Sequence, residues 1–416
     1  MKKNDLKVNS ETTSEAGNGM KRRSFLKIIG GGIIVFFQPW GELDIFGAQT
    51  QRRTLTQDYN AFLQIAEDGT VSCFTGKIEM GQGVITSLAQ MMADELNVPL
   101  EKVKMVMGDT DLCPYDAGTW GSQTTQTFGP AMRAAAAEAR GVLVDLAAAR
   151  LGVPASQLEV RDGFVVDSKN PKRSVSYASL AKGKKLEKYL DVKPAPEDYT
   201  KFTYVGKPLK HSDALLKVTG KAKYTGDLKL PGMLFARILR PPSHGARLST
   251  VDVSEAEKVV GTQVVRDGDF IAVLNENKDR ADEAIVKIKA EYTFNELKVN
   301  DRNLYDRMVG ADSRVQVLNA EGDLDLGYQQ SDKLFESEFH DPYLAHAPIE
   351  THTALAKLEG DKMTVWASTQ SPFGLQDGIV RELGYPREKV RVITPFVGGG
   401  FGGKAAYQQG VEAARL

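Results

Sequence analysis

Cysteine is nearly absent: Cys73 and Cys113 are the only two in 416 residues, and they form no CxxC arrangement. Iron–sulfur clusters and Cys-rich zinc sites need more thiolates than this, so the chain by itself holds neither. Two buried thiols suit the pair, cysteine being among the most buried residue types, and a disulfide in an oxidising compartment stays open. An excess of charge of one sign is also missing. Lys+Arg (53) and Asp+Glu (54) cancel to a net of −1, with no long basic stripe, which leaves nucleic-acid binding without electrostatic support. Long hydrophobic runs are missing as well. The best candidate, Ile28 to Phe37, falls short of the roughly 20 apolar residues of a transmembrane helix. What remains, 42% apolar and 26% charged residues, is ordinary globular material, long enough for roughly two to four domains.

Residues 1–19 are polar and rich in Ser, Thr, Glu and Asn, the composition of a disordered tail. Met20-Lys21-Arg22-Arg23-Ser24-Phe25-Leu26-Lys27 then precedes the short apolar run. Paired arginines in that order resemble a twin-arginine export signal. Residues 1–50 are therefore expected to be signal and tail outside the fold, and the protein to be periplasmic, with membrane association left open. That route carries folded proteins, which suits a chain that receives its cofactor in the cytoplasm.

Beyond the leader the pattern alternates strand and helix, so a multidomain α+β or α/β fold is expected. Phe62–Ala66 and Val71–Thr75 flank Glu67-Asp68-Gly69 and read as a hairpin. The loop Gly76 to Gly83 leads into a helix from about Ile85 to Leu96, with Leu88, Met91, Met92 and Leu96 on one face. Lys102–Asp109 reads as a strand, and a Gly/Ser/Thr-rich loop, Gly118 to Gln126, opens an Ala-dense helix from Pro130 to Leu151. These elements make a first segment, 55–165. Residues 166–209, rich in Lys, Pro and Asp, read as a linker or extended arm. A compact α/β unit is expected over 210–300, with Ala246–Val260 as one of its helices, and a last unit over 301–416.

The most specific stretch is Gly398-Gly399-Gly400-Phe401-Gly402-Gly403-Lys404, between the β-branched Val390–Thr394 and a helix-prone segment from Ala405 to Leu416. Glycines let backbone amides approach an anion, and a helix N-terminus favours its charge, so an anionic cofactor is expected. Gly398, Gly403 and Lys404 also satisfy most of a phosphate-binding P-loop, but Ala405 stands where that motif needs the hydroxyl that holds magnesium. His346, Glu350 and His352 offer a weaker metal-site reading, and Pro342 and Pro348 argue against the helix it would need.

Five segments in one order resemble a single family. Met80-Gly81-Gln82-Gly83-Val84-Ile85-Thr86, Gly118-Thr119-Trp120-Gly121-Ser122, Ala345-His346-Ala347-Pro348-Ile349-Glu350, Ser368-Thr369-Gln370 and Gly398–Lys404 resemble the molybdopterin-binding large subunit of the xanthine dehydrogenase/aldehyde oxidase family. The order and the leader are closest to the branch typified by the isoquinoline 1-oxidoreductase beta subunit. The resemblance implies that 210–300 is the family's α/β hammerhead domain, flanked by molybdopterin-binding segments at 55–165 and 301–416. It implies a molybdenum ion on a molybdopterin cytosine dinucleotide, with no direct side-chain ligand from the protein. Gln82, Gly83, Ser122, Gln123, Gly399, Gly400 and Gly402 would contact that cofactor. Gln370 would hydrogen-bond an oxo ligand of the metal, with Phe401 beside it.

The implied reaction is oxidation of an aldehyde or N-heterocyclic aromatic with water as oxygen donor. Electrons would leave through a small [2Fe–2S] subunit, with a cytochrome c as a further acceptor, since neither cluster ligands nor a flavin fingerprint is present. The family's general base is a glutamate in a downstream Gly-x-Gly-Glu segment that this sequence does not contain, and Glu79 and Glu350 do not replace it. The chain alone is therefore expected to be inactive, a truncated product or one completed by a second polypeptide carrying the C-terminal half. A cofactor-free assembly or binding role is the non-enzymatic alternative.

Overall fold

The computed structural model describes residues 32–37, 61–182, 185–187, 195–294, 299–310 and 319–416. The twin-arginine motif lies outside them. Two compact bodies divide the chain: residues up to 229 together with 346–416 form one, and 230–345 form the other.

The first body begins with β1 (Gly32–Phe37), β2 (Ala61–Ile65) and β3 (Val71–Thr75), joined antiparallel, the last two as the expected hairpin. The apolar run was expected outside the fold, yet Gly32–Phe37 pairs with β2 and Ile33 is buried. A β-branched and aromatic run is a good strand beside an open edge. From β3 the chain crosses through α1 (Val84–Leu96) to β4 (Val103–Met107), which pairs parallel with β3. Next comes α2 (Gly129–Leu151), whose Met132, Ala136, Ala139, Leu143 and Ala147 recur at helical spacing. They meet Leu88, Met92 and Leu96 of α1 in one core, with Leu63, Ile65, Val71 and Cys73 of the sheet.

Residues 166–182 are not the expected linker. β5 (Leu158–Arg161), β6 (Phe164–Asp167) and β7 (Asn170–Ser176) make an antiparallel meander, capped by the short α3 (Tyr177–Ala181). Tyr177 is buried in the first core and donates its hydroxyl to the Leu96 carbonyl at 2.9 Å, a long-range tie with no local sequence signal. A short β8 (Lys185–Glu187) pairs parallel with β1. Residues 210–229, including α4 (Ala214–Val218), belong to the first body, so the second begins about twenty residues later than the expected boundary at 210.

The second body carries β9 (Phe235–Ile238), β10 (Arg247–Asp252), β11 (Gln263–Asp267), β12 (Phe270–Asn275), α5 (Lys278–Val286) and β13 (Lys289–Thr293). Its strands pair as β11-β12-β9 and β10-β13 around Ala256, Ile271, Val273, Ala284 and Ile288. The helix expected over 246–260 is a strand followed by one turn, Ser254–Glu257. Leu248 and Val251 have helical spacing, but pairing with β13 decides the segment.

The chain then returns to the first body. β14 (Ala354–Glu359) and β15 (Lys362–Ala367) form a hairpin, and α6 (Pro372–Leu383) crosses to β16 (Val390–Ile393), parallel to β15. Finally α7 (Gln408–Arg415) packs Val411 against Leu375 and Ile379 of α6 and Val365 of β15.

Candidate functional site

Two parallel β–α–β units, β3–α1–β4 and β15–α6–β16, each leave their loops at the carboxyl ends of the strands. In open α/β sheets that end collects ligands, because helix N-termini and free amides gather there. Here the two units meet end to end. Asp109, just after β4, bridges to Ile393 at the end of β16, and its carboxylate takes both arms of Arg391, Nε at 3.0 Å and a terminal nitrogen at 2.5 Å. Thr394 donates its amide to the Gly108 carbonyl at 2.8 Å, and Thr110 donates to the Val392 carbonyl at 3.0 Å. Four loops, 76–83, 108–123, 368–371 and 394–404, are thereby brought together.

Gln370 is the centre of that meeting. It is 1% exposed, and its carboxamide oxygen accepts from the Gly402 amide at 2.9 Å and the Lys404 amide at 3.2 Å. Its carboxamide nitrogen donates to the Thr119 carbonyl at 2.8 Å, while Thr119 returns its own amide to the Gln370 carbonyl at 2.9 Å. Thr119 reaches the first loop too, its hydroxyl accepting from the Ile78 amide at 3.0 Å. Lys77 adds a second tie, donating to the Gly118 carbonyl at 2.7 Å and to Asp116 at 2.9 Å. Burial raises the Asp116 carboxyl above its ordinary range, with the Lys77 ammonium pulling the other way.

The first loop is organised by Glu79, a buried carboxylate that the sequence reading did not single out as a site residue. Its Oε1 accepts the amides of Gly81 (2.8 Å) and Gly83 (3.1 Å), and its Oε2 that of Ile85 (3.0 Å). It thus caps α1, while its backbone carbonyl accepts from Val397 at 3.1 Å. Gln82 is exposed and folded back, its nitrogen donating to the Ile78 carbonyl at 3.0 Å and its oxygen accepting from Met80. Gly83 is buried at the N-cap with φ +79°. Ser122 is exposed at φ +55°, and Gln123 accepts from the Thr127 hydroxyl in the irregular helical turn that precedes α2. Gln370, Gly400 and Gly402 touch directly. Gln82 and Gly83 join them through Ile78 and Glu79, and Ser122 and Gln123 follow Thr119 on its loop.

The glycine run does not abut a helix, as its sequence suggested. Gly403–Ala405 make one tight turn, Ala406 is extended, and α7 starts at Gln408. Nor is it a P-loop. Lys404 is 0% exposed and its ammonium lies 2.7 Å from Oε2 of Glu350, beneath the run instead of facing an anion above it. The same oxygen accepts the Gly398 amide at 2.8 Å, so one carboxylate pins both ends of the run. Burial, and then the Lys404 charge, hold His352 below the usual imidazole range. Among the described residues no cluster of three His, Cys, Asp or Glu is placed to hold a metal ion.

Among the described residues, three of the five non-glycine residues with positive φ lie at or beside this cluster: Ser122, Ala347 and Phe401 (+55°), the last 73% exposed. Backbone strain of about 1 kcal/mol or more per residue persists only where surrounding contacts impose it, and such residues gather at functional sites. Gly402 sits at φ +98°, where a side chain strains the backbone, and at Gly400 a Cβ would fall 2.5 Å from Oε1 of Gln370, which leaves no room for one. Gly400→Ala is therefore expected to displace the Gln370 carboxamide and lower stability by about 2 kcal/mol, read as the shift of a urea unfolding midpoint.

Beside these loops is an open cleft of about 430 Å³, lined among others by Met80, Gly81, Asp213, Lys217, Tyr224 and Gly399. Lys217 stands 2.5 Å from Asp213 and 3.7 Å from Glu79. Burial alone would lower its pKa, but the hydrogen bond to Asp213 and the two carboxylate charges outweigh this and hold it above the ordinary lysine value. Asp213 and Lys217 were not read from the sequence as site residues. Nothing in the local pattern HSDALLKV sets them apart from an exposed helical turn.

Known proteins share this chain's sequence over most of its length. The molybdopterin cofactor-binding domain family matches residues 7–217, and a second such domain matches 310–415. A nicotinate dehydrogenase subunit of Pseudomonas putida is 33% identical over 371 residues, covering 85% of this chain and 31% of that protein. The isoquinoline 1-oxidoreductase beta subunit of Brevundimonas diminuta is 25% identical over 456 residues, covering 95% of this chain and 58% of its own length. The chain thus spans between about a third and three fifths of these curated relatives. The solved structure of quinoline 2-oxidoreductase from Pseudomonas putida aligns with 46% of this chain and 30% of that one, at 21% identity and a TM-score of 0.39. With two molybdopterin-binding domains matched over more than half its residues, the chain belongs to the xanthine dehydrogenase/aldehyde oxidase family of molybdopterin-binding large subunits.

Proposed function

We propose that the four-loop cluster cradles a molybdopterin cytosine dinucleotide, and that the protein is the molybdopterin-binding part of a hydroxylase for an aldehyde or an N-heterocyclic aromatic. The observation that carries this reading is the convergence of the carboxyl-end loops of two parallel units on Gln370, with side-chain-free backbone at Gly399, Gly400 and Gly402. Peptide amides in alternating right- and left-handed conformations form concave anion sites, which suits a pyrophosphate better than a ring of charged side chains would. When bound, the group supplies a molybdenum ion that takes up the electrons of the oxidation.

The chain's own residues bind and orient it. Gly399, Gly400 and Gly402 present backbone at close range, and Gln82, Gly83, Ser122 and Gln123 bound the opposite loops. Gln370 has a second amide N–H beyond the one given to Thr119, and it is the donor assigned to the metal centre, with Phe401 at its flank. The Arg22-Arg23 leader supports export of the loaded protein to the periplasm. Electrons pass to a small [2Fe–2S] subunit, with a cytochrome c as further acceptor, because the chain's two cysteines are both buried and free.

The test is composition. Purified from a host that makes the cofactor, the chain should carry about one molybdenum per molecule with a fluorescent oxidised pterin in equal amount. Metal analysis that finds neither sinks the reading and favours a cofactor-free binding role.

A further inference from the structure

The second body carries an apolar strip that nothing among the described residues covers. Leu334, Phe335, Phe339, Tyr343 and Leu344 are each between 65% and 91% exposed. The chain runs from 333 to 345 without a turn or bend, and among the described residues the backbone of 332–345 makes no backbone hydrogen bond. Alternate residues of an extended chain share a face, so Phe335, Phe339 and Tyr343 line one side. His340, on the other side, stacks on Tyr305 with ring centroids 4.3 Å apart, which fastens the strip to its own body. An extended segment with free amides and carbonyls is a template for pairing with another strand.

The order of residues says which strand. Set antiparallel to itself about Phe339, the stretch 334–344 is self-complementary. Leu334 falls opposite Leu344, Phe335 opposite Tyr343, and Phe339 opposite its own copy. Glu338 meets His340, Glu336 meets Pro342 and Asp341 meets Ser337, so no carboxylate faces another. Aromatic pairs and opposite-charge pairs placed this way stabilise a ribbon, whereas like charges directly opposite would oppose it.

We propose that this strip joins two copies of the chain as a two-stranded antiparallel ribbon centred on Phe339. A two-fold axis through that residue makes the contact isologous, the same surface serving both partners. Pro342 sets the hydrogen-bond register. With Phe339 in a hydrogen-bonded pair, the amides of 335, 337, 339, 341 and 343 face the partner and Pro342 falls in a non-hydrogen-bonded pair. Its nitrogen, which has no proton to donate, then lies on the outer edge and discourages a third strand, so the assembly closes at two. Eleven residues a side is about half of the roughly 20–30 in a standard interface. The association is therefore reversible, with a midpoint on the order of 10 µM. The inference is independent of the cofactor reading.

Sedimentation equilibrium of the full chain over about 1–100 µM should show monomer and dimer in exchange. Phe339→Glu sets two carboxylates face to face and should raise the midpoint at least about tenfold. Val286→Glu, at another exposed apolar position of the same body, should leave it unchanged. Cysteine variants read the register, since Cys73 and Cys113 are buried and free. Phe339→Cys should cross-link to itself under mild oxidation, and Phe335→Cys to Tyr343→Cys but not to itself. A hydrogen-bonded pair holds its Cα atoms about 5.5 Å apart, within reach of a disulfide. A monomer at every concentration, growth beyond the dimer, cross-links in another register, or a dimer indifferent to Phe339→Glu overturns the proposal. So does a strip taken by something else: a monomer that sediments with anionic lipid vesicles, or one that holds a different polypeptide and releases it in Phe339→Glu.

Discussion

Replacing Gln370 with leucine is expected to lower stability by about 3 kcal/mol and to empty the cofactor site. The side chain is similar in volume, so no large cavity is made. What is lost is hydrogen bonding: the amides of Gly402 and Lys404 and the Thr119 carbonyl all lose their partner, the last two on buried residues. Each buried group left unsatisfied costs about 1–3 kcal/mol, and relaxation of the glycine run recovers part of the sum. Gln370→Glu keeps an acceptor for the two amides but sets an oxygen against the Thr119 carbonyl, so it should fall between wild type and leucine. Urea unfolding measures the stability and metal analysis the loading. A leucine variant within about 1 kcal/mol of wild type, with its molybdenum intact, would show that the loops hold their places without Gln370.

How far the sequence exposes this arrangement depends on how local each determinant is. The β2–β3 hairpin announces itself through Glu67-Asp68-Gly69, and α1 and α2 through Leu88, Met92 and Met132–Ala147, because turn chemistry and helical period are carried within a dozen residues. The glycine run and Gln370 stand out as motifs, and they are in contact. The meander β5–β7 does not announce itself: Asn170-Pro171-Lys172-Arg173 is polar and exposed, and its place is settled by pairing with β6 and by Tyr177 reaching back to Leu96. Ala246–Val260 misleads because Leu248 and Val251 suit a helix as well as a strand, and only β13, forty residues on, decides. Gly32–Phe37 reads equally as the core of an export signal and as a strand. The supports of the site are the least visible of all. Glu79 looks like any loop carboxylate until Gly81, Gly83 and Ile85 are seen to converge on it.

Lys404→Met is expected to be the most damaging single change, at about 4 kcal/mol, because it removes one partner of a buried ion pair and strands the other. The Lys404 ammonium is fully buried on Glu350, whose Oε1 already has no hydrogen-bond partner, so the remaining carboxylate would keep only the Gly398 amide. Glu350 must then take up a proton or draw water beneath the glycine run, and either loosens the run at both ends. Neutralising the survivor should undo much of the harm: Lys404→Met with Glu350→Gln is expected to regain at least about half of the lost stability, since an apolar and an amide side chain bury without net charge and the amide oxygen still accepts from Gly398. Denaturant unfolding of the wild type, the two single variants and the double variant closes the cycle. If the double variant is as unstable as the sum of the singles, the pair is not acting as a unit. A lysine in contact with a phosphate would behave differently, since its loss would weaken anion binding and leave the free chain's stability nearly unchanged. The cycle therefore separates a lysine built into the foundation of the loop from one that faces the ligand.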